Sequence, residues 1–99
     1  MAHLIAPAAE ADLDAVWYYV ARESASIEAA NRLIDSISSR FLLLAAHPYL
    51  GRNREESFGV GTRSFAVGEY VIVYAVNREG VLILRVVHGR RDLEGIFSN

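Results

Sequence analysis

The residues best suited to chemistry in this chain lie near its end, in the stretch RVVHGRRDLEGIF from Arg85 to Phe97. An apolar run there passes directly into His88, Gly89, Arg90 and Arg91, which is the pattern of a strand that carries charge at its end. Guanidinium groups form paired hydrogen bonds with carboxylates and phosphates. This end of the strand is therefore a candidate surface for binding an anionic partner.

Arginines elsewhere in the chain extend this candidate surface. All ten basic residues are arginine, and seven of them lie in residues 50–99. In a small antiparallel meander, the loop before the sheet and the end of the last strand can lie on one side, so these arginines are expected to converge. The predicted binding residues are Arg52, Arg63, His88, Arg90 and Arg91. The alternative is that Arg85 pairs with a buried acid as a framework residue and that the other arginines are solvated.

Other residue patterns argue against several kinds of catalytic site. The histidines His3, His47 and His88 have no spacing typical of a metal site, and the chain has no cysteine. Asp12 and Asp14 diverge on a helix, and Glu55 and Glu56 lie in a predicted loop, so both pairs are expected on a solvated face. We therefore expect no catalytic residue, no metal and no cofactor.

The composition indicates one folded domain spanning residues 1–99. The chain has 53% hydrophobic and 22% charged residues, and a domain this small is marginally stable unless a partner adds to its core. Its net charge of −2 argues against direct DNA binding by bulk charge. The sequence has neither a basic, apolar leader nor an apolar run of membrane-spanning length, so we expect a soluble cytoplasmic protein.

Apolar periodicity predicts two helices. Leu13, Val16, Trp17 and Val20 follow the i, i+3, i+4, i+7 rule, which predicts a first helix over about 8–22. Ser24 or Ser26 can cap a second helix, whose apolar stripe runs from Ala30 to Leu44 and ends before His47 and Pro48. The short connection makes the pair an antiparallel hairpin. The FLLLAA segment at the end of the second helix is either deeply buried or covered by a partner.

Strand patterns occupy both ends of the chain. A short strand is predicted over 3–6, residues 48–61 read as a loop, and strands are predicted over about 62–67, 70–76 and 81–87. In the last of these, Leu82, Leu84 and Val86 are expected on one face, with Ile83 and Val87 on the other. The prediction is an α+β fold in the order β-α-α-β-β-β, with the helical hairpin packed on a small, mostly antiparallel sheet. The first strand should pair within that sheet, and the last strand should be central.

Five blocks of residues carry a resemblance to a known family. They are Ala8, Leu13, Val16–Trp17 and Tyr19–Ala21; Ala30 and Leu33–Ile34; His47–Pro48 and Gly51–Arg52; Arg63–Phe65, Val67–Gly68, Tyr70, Ile72 and Tyr74; and Arg85–Asp92. In this order they resemble the ParE branch of the ParE/RelE toxin superfamily. The resemblance implies the same β-α-α-β-β-β fold, and it implies a toxin of a bacterial type II toxin-antitoxin system.

The resemblance also implies a partner and a target. A ParD-like antitoxin is expected to bind the helical hairpin and sheet in a hetero-oligomer, with Leu13, Trp17, Tyr18, Phe41 and Leu44 as candidate contacts. ParE-like members are associated with inhibition of DNA gyrase, whereas RelE-like members are ribosome-dependent mRNA endonucleases that use basic residues and a C-terminal tyrosine. Residues 92–97 contain no tyrosine, and residues 66–68 contain no basic residue. We therefore predict a non-enzymatic inhibitor of gyrase, with the mRNA endonuclease as the alternative.

Overall fold

The computed structural model describes residues 2–90, which form five strands and three helices. In chain order they are β1 (Ala2–Ile5), α1 (Pro7–Ser24), α2 (Ile27–Ala46), β2 (Arg52–Asn53), α3 (Glu55–Phe58), β3 (Thr62–Val67), β4 (Tyr70–Asn77) and β5 (Gly80–His88). The predicted α+β arrangement is confirmed. The segment predicted as loop over residues 48–61 is wrong in part, because it contains the short elements β2 and α3.

Local sequence signals determine where the two helices of the hairpin begin and end. Pro7 stands in the first turn of α1, where its missing N–H would have no partner in the helix. The Ser26 hydroxyl caps α2 by accepting a hydrogen bond from the Ala29 N–H at 3.1 Å. Between the helices, Ala25 adopts a left-handed conformation that reverses the chain. A hydrogen bond of 2.8 Å from Trp17 Nε1 to Asn31 Oδ1 joins the two helices.

The sheet has the strand order β1-β5-β4-β3-β2. β1 pairs with β5 in parallel, from Ala2 opposite Gly80 to Ile5 opposite Ile83, and the other neighbouring strands are antiparallel. The prediction that the first strand pairs within the sheet is therefore confirmed. β5, which was predicted to be central, lies between β1 and β4, and β4 is the middle strand. β1 ends at Ile5, however, so the part of β5 beyond Ile83 has no strand on that side.

A β-bulge in β5 changes which residues face the helices. Arg85 lies opposite Val73, but Ile83 lies opposite Tyr74, so Leu84 is an extra residue between them. The extra residue shifts the alternation of side chains, and Val86 joins Ile83 in the core beneath the helices. The predicted uniform alternation is therefore wrong beyond Leu84. A bulge depends on pairing with the neighbouring strand, so the sequence of β5 alone does not reveal it.

The core lies between the helical hairpin and one face of the sheet. Its largest fully buried side chains include Tyr74, Phe41, Ile37 and Leu44. Phe41 and Leu44 are only 1% and 0% exposed, so these two predicted antitoxin contacts are core residues. Leu42, between them, is 66% exposed. The FLLLAA segment is thus buried along one side and open to a partner along the other.

Within residues 2–90, no helix combines the length and apolar character needed to cross a membrane. In the same range, no three histidine, aspartate or glutamate side chains are grouped as they would be around a metal ion.

Candidate target-binding site

A groove of about 490 Å³ lies between α1 and the end of β5. We call it the β5 groove. Ala15, Val16 and Tyr19 line it from α1, and Val86, Val87, His88 and Arg90 line it from the other side, with Asp12, Glu69 and Tyr70 completing the wall. The structure thus brings together His88 and Arg90 of the predicted binding residues. Arg91 lies outside the described residues.

His88 is held on two sides at the rim of this groove. Its Nδ1 atom accepts a hydrogen bond from the Arg90 N–H at 3.2 Å, and its Nε2 atom lies 3.8 Å from a Glu69 carboxylate oxygen. An accepting Nδ1 assigns the proton of the neutral ring to Nε2, the atom that faces Glu69. The Gly89 N–H also donates to the Glu69 carbonyl at 2.7 Å. These contacts hold Gly89 and Arg90 close to Glu69 and His88.

Tyr70 supplies a hydroxyl group to the same groove. Burial, the neighbouring Glu69 carboxylate and the nearby Tyr19 hydroxyl raise the pKa of Tyr70 above its ordinary value. Its ring packs edge-on against His88 with 5.4 Å between the ring centroids. The hydroxyl therefore keeps its proton at neutral pH, so the groove combines an apolar floor with a cationic, an anionic and a hydroxyl group at its rim.

Arg85 has the framework role that the sequence suggested as an alternative. Its Nε and Nη2 atoms donate to the two carboxylate oxygens of Asp12 at 2.7 and 3.0 Å. This hydrogen bonding raises the pKa of Arg85. The prediction of a solvated face is therefore wrong for Asp12, whereas Asp14 is exposed. The sequence indicated that Arg85 needs an acid, but the acid lies 73 positions earlier in the chain, and only the packing of α1 on β5 identifies it.

Arg52 and Arg63 lie at the other end of the sheet, beside residues 47–61 that join α2 to β3, and we call this the loop end. Arg63 is opposite Tyr74 of β4, whereas His88 is opposite Tyr70, which places them four residues apart along β4, about 13 Å at the usual rise of a strand. Arg52 pairs with Ser64, next to Arg63. The predicted convergence of these arginines with Arg90 on one surface is therefore wrong. β3 and β5 are both antiparallel to β4, so they run in the same direction. The loop before β3 and the end of β5 therefore lie at opposite ends of the sheet.

At that other end, polar groups hold the loop that follows α2. The buried Tyr74 hydroxyl donates to the Pro48 carbonyl at 2.8 Å and accepts from the Gly51 N–H at 2.9 Å. A Cβ atom on Gly51 would lie 2.5 Å from this hydroxyl oxygen, so glycine is needed there. We call Tyr74, Pro48 and Gly51 the loop clamp. The sequence does not indicate this clamp, although all three residues belong to the blocks that carry the family resemblance.

Further contacts at the loop end involve the remaining charged groups. Arg54 Nε donates to Ser64 Oγ at 2.8 Å, and the Arg63 guanidinium lies 5.2 Å from the centre of the Tyr49 ring. Within residues 2–90, Arg63 Nε is buried and has no hydrogen-bond partner. The Gly61 N–H donates to the Glu55 carboxylate at 2.6 Å, and this bond lowers the pKa of Glu55. Most of these groups stabilise the fold of the loop.

The helical face retains three of the five predicted antitoxin contacts at or near the surface. Leu13 and Trp17 are half-buried, and Tyr18 is 60% exposed with the Arg22 guanidinium 5.7 Å from its ring centre. Tyr19 is exposed to a similar extent. Two adjacent aromatic rings on α1 thus remain open to solvent, which is the kind of surface that protein partners bury.

A family model described as the ParE toxin of the type II toxin-antitoxin system parDE matches residues 4–93. Toxin ParE3 of Caulobacter vibrioides is 38% identical over 82 residues, which cover 83% of this chain and 80% of that protein. Toxin RelE3 of the same organism is 34% identical over 84 residues, which cover 85% of this chain and 89% of that protein.

A solved structure has the same fold. It is titled as the chromosomal ParDE toxin-antitoxin system from P. aeruginosa, and it aligns with a TM-score of 0.75 at 23% identity. The alignment covers 89% of this chain and 95% of that one. The β-α-α-β-β-β arrangement predicted from periodicity therefore recurs in that protein.

Proposed function

This chain belongs to the ParE toxin family of type II toxin-antitoxin systems, and from this premise we propose that it arrests growth by binding DNA gyrase and blocking replication. The observation that carries the proposal is the match of nearly the whole chain to the ParE family model. The β5 groove supports it, because an apolar floor with charged and hydroxyl groups at the rim suits a protein surface.

We place the contact with gyrase at the end of β5. His88 and Arg90 form one side of the β5 groove, and Arg91 follows them in the sequence. Guanidinium groups at this position would bind carboxylates on gyrase. Arg52 and Arg63 are left out of this contact because they lie at the other end of the sheet.

The alternative is an mRNA endonuclease of the RelE kind, which the similarity to Toxin RelE3 favours. The residue types of this chain support it less well. Residues 92–97 have no tyrosine, and residues 66–68 have no basic residue. Loss of a general acid or base typically slows catalysis by about 10²- to 10⁴-fold, so an endonuclease without these groups would be slow. We therefore propose a toxin that acts by binding and not by catalysis.

We further propose that a ParD-like antitoxin neutralises the toxin in the cytoplasm by covering its helical hairpin. Leu13, Trp17 and Tyr18 remain candidate contacts, and the exposed side chains of Tyr19 and Leu42 add to them. Phe41 and Leu44 are left out of this surface because their side chains are buried in the core. An antitoxin that buries these rings would also stabilise a small domain with a limited core.

Two assays on the purified toxin test the function. Inhibition of gyrase supercoiling without cleavage of mRNA on translating ribosomes is the expected result. Codon-dependent mRNA cleavage with unaffected gyrase would refute the gyrase proposal in favour of the endonuclease. Addition of the antitoxin encoded beside the toxin gene should restore supercoiling.

A further inference from the structure

The contact between α1 and the free part of the β5 edge carries an inference about Asp12. β1 pairs with β5 only as far as Ile83, and the Ala6 N–H donates the last hydrogen bond, to the Ile83 carbonyl at 2.9 Å. Beyond this point, an unpaired strand edge would leave backbone N–H groups without partners. Asp12 occupies this place, because its Oδ2 atom accepts the Val86 N–H at 2.9 Å.

The same carboxylate also binds the side chain of the preceding residue. Arg85 donates to both Asp12 oxygens, so that one carboxylate accepts three hydrogen bonds from two consecutive residues of β5. The bulge at Leu84 lies directly before these two residues, so that Arg85 is opposite Val73 and Val86 is opposite Ile72 of β4. The side chains of Arg85 and Asp12 are 22% and 15% exposed, so the pair is largely shielded from solvent.

This carboxylate lies in the wall of the β5 groove. Ala15, Val16 and Tyr19 follow Asp12 on α1 and form one side of the groove, and Val86 and His88 belong to the other side. The hydrogen bonds of Asp12 therefore join α1 to β5 at this wall of the groove. After Val86, the chain pairs with β4 through Val87 and His88, and the Arg90 N–H then bonds to His88.

We propose that Asp12 is a positioning residue for target binding, which acts by holding α1 against Arg85 and Val86 and so sets the width of the β5 groove. This inference rests on the proposed function, because it assigns Asp12 a part in the surface that binds the target. Asp12 does not need to touch the target itself. A binding surface requires its contact groups to be held within a fraction of an ångström of their productive positions, and Asp12 supplies that support from the side of the groove.

The chain offers matched variants that separate positioning from stability. Asp12→Ala removes all three hydrogen bonds, whereas Asp12→Asn keeps an oxygen that can accept the Val86 N–H. Asp14→Asn removes a carboxylate from an exposed position on the same helix. Ile37→Val removes a methyl group from the core on α2 at a position that does not line the β5 groove, and so should lower stability without removing a groove contact.

The first measurement is growth arrest after graded expression of the full chain, with the soluble folded toxin quantified for each variant. For Asp12→Ala we expect about tenfold more folded toxin to be needed for the same arrest, which corresponds to the loss of one well-placed contact. Asp12→Asn should recover part of the activity. Ile37→Val and Asp14→Asn should arrest growth at the same amount of folded toxin as the wild-type chain. If Asp12→Ala arrests growth at the same amount of folded toxin as the wild-type chain, the proposal is overturned.

The second measurement does not depend on the target. In amide NMR spectra of the purified toxin, Asp12→Ala should shift the signals of Val86, His88 and Gly89, whereas Asp14→Asn and Ile37→Val should leave them in place. Unshifted signals in Asp12→Ala would overturn the inference. If the unchanged chain arrests growth but leaves gyrase unaffected, the gyrase proposal fails, and the role of Asp12 is still decided by these two comparisons.

Discussion

The two ends of the sheet use similar residues for different purposes. At the β5 groove, His88 and Arg90 lie at the rim of an open cleft whose floor is apolar. At the loop end, the polar groups of Tyr74 and Arg54 form hydrogen bonds within the protein. An arginine-rich sequence therefore does not by itself mark a binding surface. At the loop end, Arg54 and Tyr74 are engaged by other groups of the protein, whereas Arg90 lines an open groove.

The largest expected effect is the loss of growth inhibition when the arginines of the β5 groove region are replaced. Arg90→Ala combined with Arg91→Ala should abolish growth inhibition, because it removes the guanidinium groups at the end of β5. Antitoxin affinity should stay within about tenfold, since the proposed antitoxin surface lies on the helices. Arg78→Ala, in the exposed turn between β4 and β5, is the matched control and should remain toxic. Full toxicity of a folded double variant would show that this end does not bind the target.

At the loop end, a substitution in the loop clamp is expected to change the stability of the protein. Tyr74→Phe leaves the Pro48 carbonyl and the Gly51 N–H without their shared partner, which should lower the free energy of unfolding by about 1–3 kcal/mol. Tyr49→Phe, on an exposed ring, should change it by less than about 0.5 kcal/mol. Urea unfolding measures both. Equal stability of the two variants would contradict the role of the loop clamp.

An intermediate effect is expected for His88 in the groove. His88→Ala removes the acceptor of the Arg90 N–H, so Arg90 loses a contact that holds it at the rim of the β5 groove. We expect target affinity to fall by up to about tenfold, the equivalent of one hydrogen bond, with little change in the unfolding midpoint. Titration of gyrase inhibition measures this. A large loss of stability with unchanged inhibition would place His88 with the structural residues of the loop end.

The smallest expected effect is on the pH dependence of stability, through Glu55 at the loop end. The Gly61 N–H lowers the pKa of Glu55 below its ordinary value of 4.5, so the ionised carboxylate stabilises the folded state. This contribution is present above about pH 4.5 and is lost as the pH falls through the lower pKa of the folded state. Glu55→Gln should therefore reduce the loss of stability between pH 5 and pH 3, relative to Glu56→Gln. Identical pH profiles of the unfolding midpoint would contradict this.

Much of the fold was predictable because its signals are local. The stripe from Leu13 to Val20 and the serine cap at Ser26 depend on residues one or two turns apart, and the helices begin and end within about two residues of their predicted bounds. The strand over 62–67 was predicted with its observed bounds. Within the predicted loop, β2 and α3 were missed, since two-residue strands and single-turn helices leave no periodic pattern.

The candidate site was predictable only in part. His88 and Arg90 were identified because they follow an apolar strand, and both line the β5 groove. The grouping of Arg52 and Arg63 with them was wrong, and Phe41 was assigned to a surface although it is buried. Periodicity identifies the apolar stripe of a helix, but it does not tell whether a given position on it meets the sheet or a partner.

The order of the elements, the charge at the end of β5 and the family can be read from the sequence, because each depends on residue types at short spacing or in a fixed order along the chain. Which charged side chains pair with each other follows from the tertiary structure. Asp12 and Arg85 are 73 positions apart, and they meet because α1 packs against the β5 edge that β1 leaves open. Contacts over such distances follow from strand pairing, the bulge and helix packing together, and no local pattern encodes them.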